Sequence, residues 1–389
     1  MNKAGELNMQ IKKLILIGLA GFMLSACDSD KDTDLQDSLT KDNTVDTVSD
    51  YDLGEGIIPF PNDLLFAPND DVPVSDGTLN IPVDDINDLS DPKVAMNGLD
   101  GFSTVAPIST GFSAPIDSSS ISGESVRVYP ITKGAPPFVP DPGAPATAVD
   151  APLVYGVDYM ATLSSVDQTN STLVILPLKP LNPKSSYAVV ITNKLKSSSG
   201  RQVGMSASYY LTSRDEPVYN LAVLPVTDPP VPPNELTEQD FLDALDAGDL
   251  TTQQLIDAVV VTSLKPSPES TNEEAAADAF SAFSLELLRI GIVKPTEGII
   301  VASDDALDSE DIILQWTFTT QSTTDVLAQV REDIRAEVAP LTTFLPIIPG
   351  ANPVTESPGG FADIHVGTLD LPYFLEAASG VNDPTPLFS

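Results

Sequence analysis

The chain of 389 residues carries 19 Lys and Arg against 56 Asp and Glu, a formal net charge of −37. A field of that sign repels nucleic acid and anionic lipid headgroups, which argues against both as partners. One Cys and one His exclude an intrachain disulfide framework and argue against Cys- or His-rich metal sites, while 35 Pro and 23 Gly favour many short strands and turns over a helix bundle.

In chain order, Lys12 and Lys13 precede an apolar run from Leu14 to Leu24, followed by Ser25, Ala26 and Cys27. A charged start, an apolar middle and small residues form a secretory signal. The run falls short of the ~20 residues that span a bilayer. "LSAC" is similar to the lipobox of bacterial lipoproteins. That resemblance implies removal of residues 1–26, lipidation of Cys27, and anchoring to a bacterial membrane, with the outer membrane or cell surface as destination. Starting at Met9 instead of Met1 removes Glu6 and leaves a cleaner signal. Residues 27–50 are dense in Asp and poor in large apolar side chains, which predicts a disordered tether. Its "DSDKDTD" opening is no calcium loop, because Thr33 and Leu39 stand where such a loop needs Gly and Glu.

Residues 51–225 read as a β-rich domain. "GIIPFPNDLLF" and "DGTLNIPVDD" combine short apolar pieces with turn residues. "ESVRVYPIT" alternates Val126 and Val128 against Arg127 and Tyr129, a half-buried strand. "TLVILPL" suits a fully buried strand, "SYAVVITNKL" places Tyr187, Val189 and Ile191 on one face, and "ASYYLTS" is a further strand candidate. The Pro-rich "KGAPPFVPDPGAPATAVDAP" reads as an exposed loop. Strands at this spacing predict a mainly β fold, an immunoglobulin-like antiparallel sandwich, and α+β overall once the helical segment is added.

At residues 226–295 the period switches to helical. Thr237 caps a helix carrying Phe241 and Leu245 that stops at Gly248. Thr251 and Gln254 form a capping box. "STNEEAAADAFSAFSLELLRIG" offers two boxes, Ser270/Glu273 and Thr271/Glu274, then a stripe of Ala276, Phe280, Phe283, Leu287 and Ile290 closed by Gly291. The stripe reads as core, not as a ligand groove. Residues 296–389 give a strand with Ile312, Leu314, Trp316 and Phe318 on one side, a helix with Val326, Val330 and Ile334 ending at Pro340, and a strand "FADIHVGTLDL".

The residues that carry hydrolytic chemistry are sparse. His365 alternates opposite Ala362, Ile364 and Val366, which places it on an outer face. Four segments approach the serine-hydrolase motif GxSxG: "GFSTV" (Ser103), "GFSAP" (Ser113), "GESVR" (Ser125) and "GMSAS" (Ser206). None has the second glycine that relieves the strained nucleophile turn. The reading is of no catalytic residues, no cofactor and no metal, so the chain is expected to be inactive as an esterase by itself.

Taken in order, "IPFPNDLLF", "DGTLNIP", "LDGFSTVAPISTGFSAPID", "SVRVYPIT", "LPLKPLNPKSSYAVVITNKLKSSSGR" and "IILQWTFTTQS" resemble the N-terminal domain of bacterial virulence-factor lipases, from about Tyr51 onward. The resemblance implies a lipid-anchored extracellular lipase or lysophospholipase, a carboxylic ester hydrolase acting on lipids. Its catalytic α/β-hydrolase domain, the partner of this region, would lie downstream in the same polypeptide, and the chain would be a truncated form. A stand-alone surface-binding or adhesin-like lipoprotein is the alternative, since sandwich folds host many functions.

Overall fold

The computed structural model describes residues 35–36, 39–40, 45–67, 76–135, 140–233, 236–304 and 306–337. The chain divides into two compact units, the first ending at Gln321 and the second beginning at Ser322.

The first unit is built on two sheets with nine strands among the described residues, a β-sandwich-like, mainly β core. One sheet has the order β4 (Ala146–Val149), β3 (Val126–Lys133), β7 (Ser186–Thr192) and β9 (Ile312–Thr319), antiparallel throughout. All seven residues of β7 and all eight of β9 are buried. Strands covered on both faces select β-branched and aromatic side chains without alternation. Tyr187, Val189 and Ile191 are therefore joined in the core by Ala188 and Val190, and Trp316 by Ile313. In β3, Tyr129 is buried rather than outward. Its hydroxyl donates to Asp304 (2.7 Å), the same carboxylate oxygen that accepts from Arg127 (2.6 Å). The expected exposed proline loop contains β4, which pairs Val149 with Ile131.

The second sheet runs β5 (Tyr159–Leu163), β6 (Thr172–Pro177), β2 (Ile108–Phe112), β1 (Val45–Asp50) and β8 (Gln202–Gly204). It is antiparallel except between β1 and β8, which are parallel, a departure from the purely antiparallel expectation. β6 is half-buried, with Leu173 and Ile175 inside and Val174 and Leu176 partly exposed. β1 corrects the expected tether, since residues 45–50 are a sheet strand. Its inward side chains include the hydroxyls of Thr47 and Ser49, and Ser49 accepts from the Ser206 amide at 3.1 Å. A strand that buries hydroxyls has too little apolar character to stand out by composition.

The helices begin with α1 (Pro92–Met96), capped by Asp91. "ASYYLTS" is helix α2 (Ala207–Ser213), not a strand, because Ser206 caps it by accepting from the Tyr209 amide. α3 (Glu238–Ala247) starts at a Thr237/Asp240 box and ends at left-handed Gly248, and α4 (Thr252–Ala258) starts at the Thr251/Gln254 box. α5 (Asn272–Leu288) uses Thr271 with Glu274 as its box. Phe241, Phe280 and Phe283 meet Tyr219 in an aromatic cluster with ring centroids 5.6–6.3 Å apart. The stripe does not close at Gly291. The chain continues through a π-helical turn (Arg289–Val293) into α6 (Lys294–Ser303), and Ile290 is 38% exposed. The Arg289 guanidinium grips the buried Glu286 carboxylate with two bonds (2.9 and 2.8 Å).

In the second unit, α7 (Asp325–Glu337) occupies the expected helix. Cys27, the signal segment, Pro340, the final strand and His365 lie outside the described residues.

The expected domain limits thus divide differently in space: β1 and β9, on either side of residues 51–225, both belong to its sheets. A chain beginning at Tyr51 lacks β1, the strand between β2 and β8. By circular dichroism it should melt at least about 5 °C below a chain beginning at residue 35. Equal melting temperatures would remove β1 from the stable core.

Candidate functional site

Pro61 is followed by Asn62, which caps a 3-10 turn (Asp63–Phe66) by accepting from the Leu64 amide at 3.0 Å. The turn delivers Asp63 into the interior, where the last residue of β3, Lys133, is 0% exposed. The ammonium donates to Asp63 Oδ2 (2.7 Å), to Thr317 Oγ1 on β9 (2.9 Å) and to the Pro142 carbonyl. Thr317 donates in turn to Asp63 Oδ2 at 2.9 Å. All three ammonium protons are thereby used. A buried cation is tolerable only when paired and fully hydrogen-bonded. Beside it, the Trp316 indole N–H donates to the Pro61 carbonyl at 3.0 Å.

A recess opens next to this cluster. Its cavity is about 40 Å³, with apolar walls from Tyr51, Leu64, Ile292, Val293 and Trp316. The π-helical turn sets Ile292 and Val293 in that wall, and π turns recur at functional sites. Burial pushes the Tyr51 hydroxyl well above its ordinary range, so it stays neutral. Asn62, Asp63 and Gln315 line the recess and are 2%, 6% and 5% exposed. Among the described residues, Asn62 Nδ2, Asp63 Oδ1 and Gln315 Oε1 have no hydrogen-bond partner.

None of these residues was singled out from the sequence. Asn62 and Asp63 read as turn formers, and Lys133 as the start of a loop. The available signal was strand parity, since Lys133 shares a face with Tyr129 and Ile131.

The four hydrolase-like serines have structural engagements. Ser103 accepts from the amides of Val105 and Ala106 (3.2 and 3.1 Å), Ser113 from Val48 (3.0 Å), and Ser206 caps α2. Ser125 donates to the Ser120 carbonyl at 2.8 Å. Their neighbouring glycines have packing reasons too. A Cβ on Gly101 would lie 2.5 Å from the Gln321 nitrogen, and one on Gly111 2.8 Å from the Asp50 carboxylate. Those glycines permit close backbone approach rather than a nucleophile turn. Among the described residues no group of three or more His, Cys, Asp or Glu is placed to hold a metal, and no helix is long and apolar enough to cross a membrane.

The family model described as bacterial virulence factor lipase N-terminal matches residues 31–228. The chain belongs to that family. No curated protein matches it. The family's match begins ahead of β1, in keeping with β1 as part of the fold. It takes in Asp63 and Lys133 but stops before Gln315, Trp316 and Thr317, so the recess joins this lipase N-terminal region to the segment that follows it.

Lys133→Ala strands the Asp63 carboxylate in the interior and should cost about 3–5 kcal/mol. The double variant Lys133→Met/Asp63→Leu removes both charges and should be less destabilised than Lys133→Ala in urea unfolding. A double variant as unstable as the sum of the singles would show that the pair is not coupled.

Proposed function

We propose that this chain is the membrane-anchored, non-catalytic N-terminal region of an extracellular lipase or lysophospholipase. The observation that carries the reading is the family match over residues 31–228. It is supported by the four hydrolase-like serines, whose hydroxyls serve turns and caps and whose nearby glycines serve packing. In this reading Cys27 takes the lipid that anchors the protein at the bacterial outer membrane or cell surface. The folded unit stands beside an α/β-hydrolase domain of the same polypeptide. That domain supplies the nucleophile, its base and the oxyanion donors, which must lie within hydrogen-bond reach of one another.

Purified residues 28–389 should show no turnover of short-chain esters or lysophospholipids, whereas the polypeptide that includes the hydrolase domain should be active. Cys27→Ser should leave an unprocessed precursor, read as the absence of the acylated N-terminal peptide by mass spectrometry. Ester turnover by residues 28–389, abolished by His365→Ala, would make this chain an enzyme in its own right. An unmodified thiol on the mature wild-type protein would refute the anchor.

A further inference from the structure

We infer that three loops meeting at one end of the second sheet insert aliphatic side chains into a bilayer of zwitterionic phospholipid. This lipid contact is independent of the lipase reading and of the anchor at Cys27. β5 and β2 begin, and β6 ends, at the same end of that sheet, because β6 runs antiparallel to both. The loops there carry Val105, Val154, Val157 and Leu178, which are 60%, 55%, 52% and 48% exposed, and Met160 in β5 is exposed beside them. Two backbone bonds hold the loops together. The Leu178 amide donates to the Asp158 carbonyl (2.8 Å), and the Leu181 amide donates to the Thr104 carbonyl (2.9 Å). These aliphatic side chains therefore share one end of the sheet instead of lying singly over the surface, and grouped apolar exposure marks a contact surface.

Two properties point to lipid as the occupant. The first is charge. In a chain of net charge −37, residues 103–107, 151–158 and 177–183 hold only Asp158 and Lys179, which pair at 2.7 Å and cancel. An anionic bilayer repels the rest of the molecule, whereas a zwitterionic one admits an end without net charge. The second is the backbone. An apolar layer offers no hydrogen bonds, so each N–H that enters it must be satisfied within the protein. The Val105 amide donates to Ser103 Oγ (3.2 Å), that of Val154 to Asp158 Oδ2 (2.8 Å), and that of Val157 to the Val154 carbonyl (3.1 Å). With the Leu178 bond, all four loop aliphatics have their N–H groups bonded inside the protein. Pro107, Pro152, Pro177 and Pro180 around them have none to satisfy. A protein strand added at these loops would need free N–H groups instead.

Residues 28–389 keep every described element and contain no cysteine, so an introduced one carries a unique label. Val157→Cys places an environment-sensitive fluorophore at the proposed contact. Val166→Cys places it in the β5–β6 turn at the opposite end, where Val166 is 86% exposed, and so controls for exposure alone. With phosphatidylcholine vesicles the label at 157 should shift to the blue and saturate, and the label at 166 should not move. The unlabelled chain should float with phosphatidylcholine vesicles, and at low salt less with phosphatidylglycerol vesicles. Val157→Asp/Leu178→Asp should weaken binding to phosphatidylcholine about tenfold or more by removing apolar surface, with near-ultraviolet dichroism checking that the variant is folded. No flotation with phosphatidylcholine, equal shifts at 157 and 166, or full binding by the folded double variant would overturn the proposal. A shift at 157 that grows with protein concentration in the absence of vesicles would also overturn it, by assigning this end to contact between copies of the chain.

Discussion

The Lys133–Asp63 ion pair is the constraint around which the first unit is organised. A lysine at the end of a core strand has no access to water, so its charge must be answered inside the protein. The answer comes from three separate parts of the chain: the carboxylate from the turn after Pro61, the hydroxyl from Thr317 on β9, and a carbonyl from Pro142. These contacts link residues 70 and 184 positions apart in sequence. An apolar core of the same volume could be equally stable, but it would tolerate sliding of the turn or of β9. Hydrogen bonds of fixed direction at one point set the register in which turn, β3 and β9 meet.

That arrangement explains why the family-matched segment and the residues after it form one unit. β7 has no free edge, since β3 pairs with one side and β9 with the other, and all of its residues are buried. The β9 edge is closed in turn by Phe102, whose amide donates to the Thr319 carbonyl and whose carbonyl accepts from the Gln321 amide. Gly101 makes this approach possible. One of the two segments nearest to a hydrolase motif, "GFSTV", thus begins at an edge seal. The helices between β8 and β9 pack through their own aromatic cluster, and their π turn contributes two walls of the recess.

Much of this was legible in the sequence. The N-cap at Thr237 and the capping boxes at Thr251 and Thr271 announce helix starts through local hydrogen bonds, and β3, β7 and β9 announce themselves through β-branched runs. What could not be read depended on partners far along the chain. β1 buries Thr47 and Ser49 against distant strands and so carries no apolar signature. Where the helical chain runs on past Gly291, Arg289 donates to the distant Arg214 and Asp215 carbonyls. The recess was invisible for the same reason, since Asp63, Lys133 and Gln315 come from three elements and none forms a sequence motif.

The central claim is that the lipase N-terminal segment is completed by β9 and the helices before it, with the buried lysine as the joint. The direct measurement compares urea unfolding of residues 35–228 with that of residues 35–321. The account predicts one cooperative transition for the longer chain, and none for the shorter one, which lacks β9 and Thr317. A shorter chain that unfolds cooperatively at the same midpoint would contradict it.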